Sequence, residues 1–192
     1  MEITGETNIA APRARVWAAL NDPKVLAACI DGVEKLDPAG ENRFEGVMNA
    51  KVGPVRARFI GAVDLTEIDA PNRYVIVGEG KGGVAGFAKG RAEVTLADVD
   101  VDGAPGTLLS YRASSTVGGK LAQLGARLIE GTAKAYAEAF FAAFKAAVET
   151  GDAAPAPTTD ARVEHAADGL PPLVWGSLVV IAVIALVAYL LA

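Results

Sequence analysis

Residues 119–149 read GKLAQLGARLIEGTAKAYAEAFFAAFKAAVE, a run without proline in which apolar residues recur at helical spacing. Turning each residue by 100° collects the large apolar side chains on one broad side and most charged ones on the other. The apolar side holds Leu121, Leu128, Ile129, Tyr136, Phe140 and Phe144. The opposite side holds Lys120, Arg127, Lys134, Glu138 and Lys145. The run therefore predicts a long amphipathic helix that covers an apolar surface.

That surface is predicted in residues 33–117, where the apolar pattern changes to a period of two, as in strands. In 55–65, for example, apolar and small residues alternate with arginine and aspartate. We expect turns at 38–40, 70–72 and 103–106, where proline, glycine and asparagine interrupt the alternation. The pattern is typical of an antiparallel meander with one apolar face.

The first 28 residues complete the predicted domain. Residues 1–9 alternate as a strand, and Pro12 opens a helix whose apolar face carries Val16, Trp17 and Leu20. A second short helix is expected from Pro23 to residue 28. The fold class is therefore α+β, a helix-grip arrangement in which a curved antiparallel sheet wraps around a long C-terminal helix, with two short helices after strand 1. We assign residues 1–149 to this domain.

The last 43 residues predict attachment to a membrane. Residues 173–192, LVWGSLVVIAVIALVAYLLA, carry no charge, and as a helix they would span roughly 30 Å, the thickness of a hydrocarbon core. Trp175 and Tyr189 lie near the two ends, as interfacial aromatic residues do. Residues 150–172 are rich in alanine, proline and aspartate, which predicts a disordered linker. We therefore expect a single-pass C-terminal anchor behind a flexible tether.

The absence of a recognisable signal peptide at the N-terminus predicts a domain that faces the cytoplasm from the cytoplasmic membrane. The single cysteine, Cys29, cannot form an intramolecular disulfide, which suits a reducing compartment. Residues 1–149 hold 17 Lys and Arg against 19 Asp and Glu, without a basic run. From this balance we expect neither nucleic-acid binding nor a basic cluster that attaches to anionic lipid.

Catalytic and metal sites are not expected. Gly78, Gly80 and Gly83 match the G-x-G-x-x-G spacing, but a strand pattern follows them, and phosphate binding needs a helix N-terminus there. The only histidine, His165, lies in the predicted linker, far from Cys29. No nucleophile–base pair or zinc ligand set can be assembled from these residues.

Small residues are unusually frequent on the predicted inner face of the sheet, and Gly125 and Gly131 lie in the predicted helix. They allow either close backbone packing or space for an apolar ligand, and the sequence leaves both alternatives open. The walls of such a pocket would be large apolar residues of the sheet and helix. They are Phe59, Leu96, Leu109, Tyr111, Leu121, Leu124, Leu128 and Tyr136.

A second candidate site lies in the glycine-rich run GEGKGGVAGFAKG, residues 78–90. By alternation, Phe87 shares one side of a strand with Lys89 and Arg91, and Lys81 lies close by. An exposed aromatic side chain among cations is typical of a surface that binds a protein partner.

Four stretches, in this order along the chain, closely resemble the carbon monoxide dehydrogenase G-subunit family, within the START/polyketide-cyclase-like helix-grip superfamily. They are NDPKVL (21–26), VGPVRARF (52–59), GEGKGGVAGFAKG (78–90) and VGGKLAQLGARLI (117–129). The resemblance covers residues 2–148. Where many relatives have proline after Cys-Ile, this chain has Asp31.

The resemblance implies a non-catalytic accessory protein that recruits a molybdenum hydroxylase of the carbon monoxide dehydrogenase type to the membrane. It further implies a respiratory quinone, menaquinone or ubiquinone, as the ligand of the apolar pocket, with no covalent cofactor. Two alternatives stay open: a protein that binds lipid or another hydrophobic small molecule, and a scaffold or assembly factor without a ligand.

Overall fold

Seven antiparallel strands form one curved sheet in the order β1-β7-β6-β5-β4-β3-β2. The computed structural model describes residues 2–151. The strands are β1 (Glu2–Ile9), β2 (Val33–Gly40), β3 (Arg43–Val52), β4 (Val55–Asp69), β5 (Arg73–Lys81), β6 (Phe87–Val101) and β7 (Ala104–Gly118). The helices are α1 (Arg13–Leu20), α2 (Pro23–Cys29) and α3 (Ala126–Thr150), with 3₁₀ turns at Gly83–Ala85 and Leu121–Leu124. The predicted curved sheet and long C-terminal helix are confirmed.

The long helix begins later than its periodicity predicts. Gly125 has a φ of +86°, which a right-handed α-helix cannot contain, so α3 starts at Ala126. The residues before it form the short 3₁₀ turn Leu121–Leu124. At the other end Gly151, with a φ of +90°, adopts the left-handed conformation that commonly terminates helices. The expectation of one continuous helix from residue 119 was therefore wrong for its first turns.

The core lies between the concave face of the sheet and α3. The helix presents a stripe of fully buried side chains, namely Ile129, Ala133, Ala137, Phe140, Phe144 and Val148. Helices α1 and α2 add Val16, Leu20 and Leu26, all without accessible surface. Because apolar burial is the main driving force of folding, this stripe is what holds the helix in the sheet.

Some glycines of the concave face are explained by packing. A methyl group on Gly61 would lie 2.7 Å from the carbonyl oxygen of Glu79, and one on Gly46 would lie 3.0 Å from that of Lys35. At these positions only glycine allows the strands to approach so closely. The close-packing alternative therefore accounts for part of the small-residue pattern.

One expected turn is displaced. Strand β2 continues to Gly40, so the chain reverses at residues 41 and 42 and not at 38–40, and Asn42 takes the positive φ of +60°. Asparagine tolerates this conformation better than most residues, which explains the position.

Within residues 2–151, no helix is both long and apolar enough to cross a membrane. The predicted anchor, 173–192, and all but the first two residues of the predicted linker lie outside the described residues.

Candidate functional site

Three connections meet at one end of the sheet. Val52 pairs with Val55 across the β3–β4 turn, Lys81 pairs with Phe87 across the β5–β6 connection, and Phe87 pairs with Gly118 at the end of β7. The chain then passes through the 3₁₀ turn into the N-terminus of α3. We call residues 51–58, 79–89 and 116–131 the rim. It comprises the β3–β4 turn, the β5–β6 connection, the end of β7 and the N-terminus of α3.

Close contacts hold the rim together. The methyl groups of Leu128 on α3 lie against Gly53 in the β3–β4 turn, where an added Cβ would be 2.9 Å from Cδ2. The ring of Phe59 lies beneath Gly82, with three ring atoms within 2.9 Å of the position a Cβ would take. These contacts join both β-turns to the interior.

The eight predicted pocket residues fall into two groups along α3. The first group is Leu121, Leu124, Leu128 and Tyr136, in the rim and the first half of the helix, together with Phe59 of β4, whose ring lies beneath Gly82. Leu96, Leu109 and Tyr111 lie on β6 and β7, where Leu96 and Leu109 pair directly and Tyr111 stacks on Phe141 of the second half of the helix. A ligand that touches both groups would have to be elongated.

Burial differs within these groups. Phe59, Leu96, Leu109 and Leu121 belong to the buried core, whereas Leu124, Tyr111 and Tyr136 are partly buried and pack against it. Leu128 is 41% exposed and contacts the β3–β4 turn at Gly53, so it lies at the border of the predicted pocket. It lies in the first turn of α3, beside the β3–β4 turn.

The two helix glycines do not create a cavity. Gly125 is the residue that precedes α3, and Gly131 is exposed with no atom within 4 Å of an added Cβ. Neither glycine therefore supports the ligand-space alternative, which the sequence leaves open.

Both partly buried tyrosines have defined neighbours. The hydroxyl of Tyr136 accepts a hydrogen bond from the backbone N–H of Lys51 at 3.4 Å. The ring of Tyr111 stacks on Phe141 with 4.8 Å between centroids, and burial, with a smaller contribution from Glu138, raises the pKa of its hydroxyl. Each tyrosine thus places a polar atom at the edge of an apolar surface.

Tyr74 was not predicted as a site residue. It lies on β5, fully buried, with its ring 5.3 Å from Trp17 of α1 in an edge-to-face arrangement. Its hydroxyl is the one buried side-chain polar atom in residues 2–151 that has no hydrogen-bond partner. Burial raises the pKa of Tyr74, so the hydroxyl stays protonated and can donate. Nothing in the local sequence distinguishes it from a core tyrosine.

The predicted partner-binding residues do share one surface. Lys81, Phe87, Lys89 and Arg91 lie on the convex face of the β5–β6 hairpin, in successive cross-strand positions. Phe87 is 45% exposed and its ring rests on the backbone of Gly118. Lys89 is 3.9 Å from Glu79, a weak exposed pair, and Lys81 has no ion pair with the described chain. The structure brings these residues together as predicted.

Arg91 is less available than its neighbours. Its guanidinium donates to Glu67 at 2.6 Å, and Arg73 donates to the same carboxylate at 2.8 Å. Both arginines lower the pKa of Glu67, Arg91 more strongly. Arg91 also borders a trough of about 540 Å³ on the convex face, together with Lys89, Asp64 and Arg43.

The G-x-G-x-x-G spacing has no phosphate-binding geometry. Gly78 and Gly80 lie inside β5, and Gly83 begins a three-residue 3₁₀ turn that leads into β6. Within residues 2–151 there is no group of three His, Cys, Asp or Glu that could hold a metal ion.

Solved structures share this fold. A conserved protein from Geobacillus kaustophilus is 27% identical, with a TM-score of 0.72 over 79% of this chain and 97% of that one. A START superfamily protein from Mycobacterium smegmatis is 13% identical, with a TM-score of 0.59 over 78% and 97% of the two chains. The Zhui aromatase/cyclase from a Streptomyces species is 16% identical, with a TM-score of 0.51 over 78% and 93%. The last two show the fold alone.

No curated protein matches the chain. A family model described as the G subunit of carbon monoxide dehydrogenase (CoxG) matches residues 5–149, which is nearly the whole described domain and most of the chain. The chain therefore belongs to the CoxG family of carbon monoxide dehydrogenase.

Proposed function

We propose that the protein is a non-catalytic accessory factor that binds a respiratory quinone and recruits a molybdenum hydroxylase of the carbon monoxide dehydrogenase type to the cytoplasmic membrane. The family match over residues 5–149 carries this proposal, since the CoxG family is described as a subunit of that enzyme. The fold supports the ligand part, because a concave apolar sheet closed by one helix is suited to binding an apolar molecule.

The quinone would lie along α3, between the rim group and the group around Tyr111. Helix α3 is about 37 Å long, so an isoprenoid tail can follow it while touching both groups. The unpartnered hydroxyl of Tyr74 supports a ligand with a hydrogen-bond acceptor, because an unsatisfied buried hydroxyl is costly and a quinone carbonyl would accept from it. Menaquinone and ubiquinone both supply such carbonyls.

The hydroxylase would bind at Lys81, Phe87, Lys89 and Arg91. An exposed aromatic ring between lysines is the arrangement that protein interfaces favour at their centre and border. Phe87 and Lys89 are the stronger candidates, because Arg91 is already paired with Glu67.

Residues 173–192 would anchor the complex in the membrane, with residues 150–172 as a tether. This part rests on the charge-free sequence alone. With the hydroxylase bound to the domain and the quinone exchanged with the bilayer, electrons from the enzyme would reach the membrane pool.

A ligand-free scaffold is the second candidate. The close contacts at Gly61 and the complete burial of Ala133 favour it, because both show tight packing on the concave face. In that case the family role would reduce to recruitment or assembly.

Mass spectrometry of the small molecules that copurify with the full chain separates the candidates. Extraction with a mild detergent from membranes should yield a quinone in amounts that follow the protein. A bound phospholipid or fatty acid in its place would favour the lipid-binding alternative, and an empty protein would favour the scaffold.

A further inference from the structure

The rim is far more basic than the rest of the domain. Residues 51–58, 79–89 and 116–131 contain seven Lys or Arg and two Glu. The remaining part of residues 2–151 holds ten Lys or Arg against 17 Asp or Glu. Because the three segments are distant in sequence, no basic run is visible along the chain. The expectation that the domain has no basic cluster was therefore wrong for its folded surface.

Most cations of the rim have no acidic partner. Among residues 2–151, seven Lys or Arg side chains form no ion pair within 4.0 Å, and five of them lie in the rim. The five are Lys51, Arg56, Lys81, Lys120 and Arg127. Outside the rim, only Arg15 and Lys24 of the described residues share this property. Because these unpaired cations lie at one end of the domain, they favour binding of that end to a negatively charged surface.

The same end also exposes apolar side chains. Val84, in the β5–β6 connection, is 85% exposed, and Leu128 in the first turn of α3 is 41% exposed. Gly83 has no atom within 4 Å of an added Cβ, so the tip of the connection faces open space. A valine exposed to water contributes no burial free energy to folding. The same side chain would gain free energy if it entered an apolar surrounding.

We propose that the rim docks on anionic phospholipid, with Val84 and Leu128 entering the headgroup boundary and four of the unpaired cations, Lys51, Arg56, Lys120 and Arg127, contacting phosphates, while Lys81 stays with the partner surface. Apolar insertion combined with basic side chains is how interfacial segments bind membranes. An acidic protein surface would satisfy the cations equally but would give no reason for the exposed Val84. The acidic remainder of the domain is repelled by the same surface, which orients the rim towards it.

Docking in this orientation places the β3–β4 turn, the β5–β6 connection and the N-terminus of α3 against the bilayer. The docking on lipid depends neither on the quinone nor on the hydroxylase. An experiment can therefore refute the docking and leave the proposed function intact, or refute the function and leave the docking intact.

The experiment uses the full chain with an environment-sensitive fluorophore on the cysteine of Val84→Cys. Cys29 is buried, and burial raises the pKa of its thiol, which directs labelling to the introduced cysteine. The protein is added to phosphatidylcholine vesicles with and without about 30% phosphatidylglycerol, which supplies the surface charge that basic residues detect. Labelled Ala104→Cys, exposed at the start of β7 at the opposite end of these strands, serves as the position control.

Phosphatidylglycerol should shift the emission of the label at position 84 to the blue and leave the label at 104 unchanged. The double substitution Lys120→Glu and Arg127→Glu should raise the lipid concentration that is needed for this shift at least about tenfold. The pair Arg15→Glu and Lys24→Glu changes the net charge equally, outside the rim, and should leave the response within about twofold. An emission shift at position 84 that does not depend on phosphatidylglycerol would overturn the proposal. Equal losses of that shift from the two double substitutions would overturn it as well.

Discussion

Gly82→Ala tests whether the β5–β6 connection is fastened to the interior through Phe59. Gly82 has φ −108° and ψ 24°, which alanine adopts without strain, so its backbone is not a source of cost. The added methyl group would lie within 2.9 Å of three atoms of the Phe59 ring. Ordinary carbon contacts begin near 3.5 Å, so the ring must move by about 1 Å at its nearest atom.

The ring has no free direction in which to move. Phe59 is 1% exposed and belongs to the buried core, so relief requires a shift of neighbouring side chains or of the connection itself. Overpacking of this kind destabilises by about 1–3 kcal/mol. In a Phe59→Leu background the smaller side chain vacates the contact, and Gly82→Ala should then cost less than about 0.5 kcal/mol.

Urea denaturation of the full chain in detergent micelles, followed by circular dichroism, measures both costs. The difference between the two backgrounds is the coupling energy, which we expect to be about 1–2.5 kcal/mol. Gly131→Ala is the matched control: it lies on an exposed part of α3 with no nearby atom and should stabilise by about 1 kcal/mol. If Gly82→Ala costs the same with Phe59 and with leucine at that position, the contact between Gly82 and the ring does not exist.

Three further outcomes are expected from the same structure. Replacing Phe87 and Lys89 together with alanine should reduce capture of the hydroxylase in pull-downs while unfolding stability stays within about 0.5 kcal/mol; unchanged capture would place the interface elsewhere. The pKa of Glu67 lies below its ordinary 4.5, so its contribution to stability is complete above that pH and is lost as the pH falls through the lowered value. Arg91→Ala should raise this pKa in an NMR titration, and an unmoved pKa would contradict the pairing. Deleting 173–192 should transfer the protein from membranes to the soluble fraction, and a truncated form that survives carbonate washing in the pellet would refute the anchor.

The periodicity of the sequence predicted the main elements because each side of the sheet and helix has a distinct polarity. Strand alternation placed Phe87 and Lys89 on one face, and the register confirms that placement. The start of α3 could not be predicted, because it depends on the positive φ of one glycine, Gly125, within an otherwise helical pattern.

Features that are formed by segments distant in the chain could not be predicted from the sequence either. The rim's cations come from three stretches separated by at least 20 residues each, so their clustering depends on the antiparallel register. The unpartnered hydroxyl of Tyr74 likewise becomes visible only when every neighbour of a buried strand residue is known. Both observations concern three-dimensional neighbours, which a period of 2 or 3.6 does not specify.

The central claim, an apolar quinone between sheet and α3, is tested most directly by thermal unfolding of the full chain with menaquinone. At a ligand concentration about 100 times Kd, binding should stabilise by about 2.7 kcal/mol, or roughly 5–10 °C in Tm, with a shift that grows with concentration. Geranylgeraniol, an isoprenoid chain without ring carbonyls, should shift Tm less, and Tyr74→Phe should keep its own stability while losing part of the menaquinone shift. A wild-type Tm that is indifferent to both menaquinone and ubiquinone would contradict the claim.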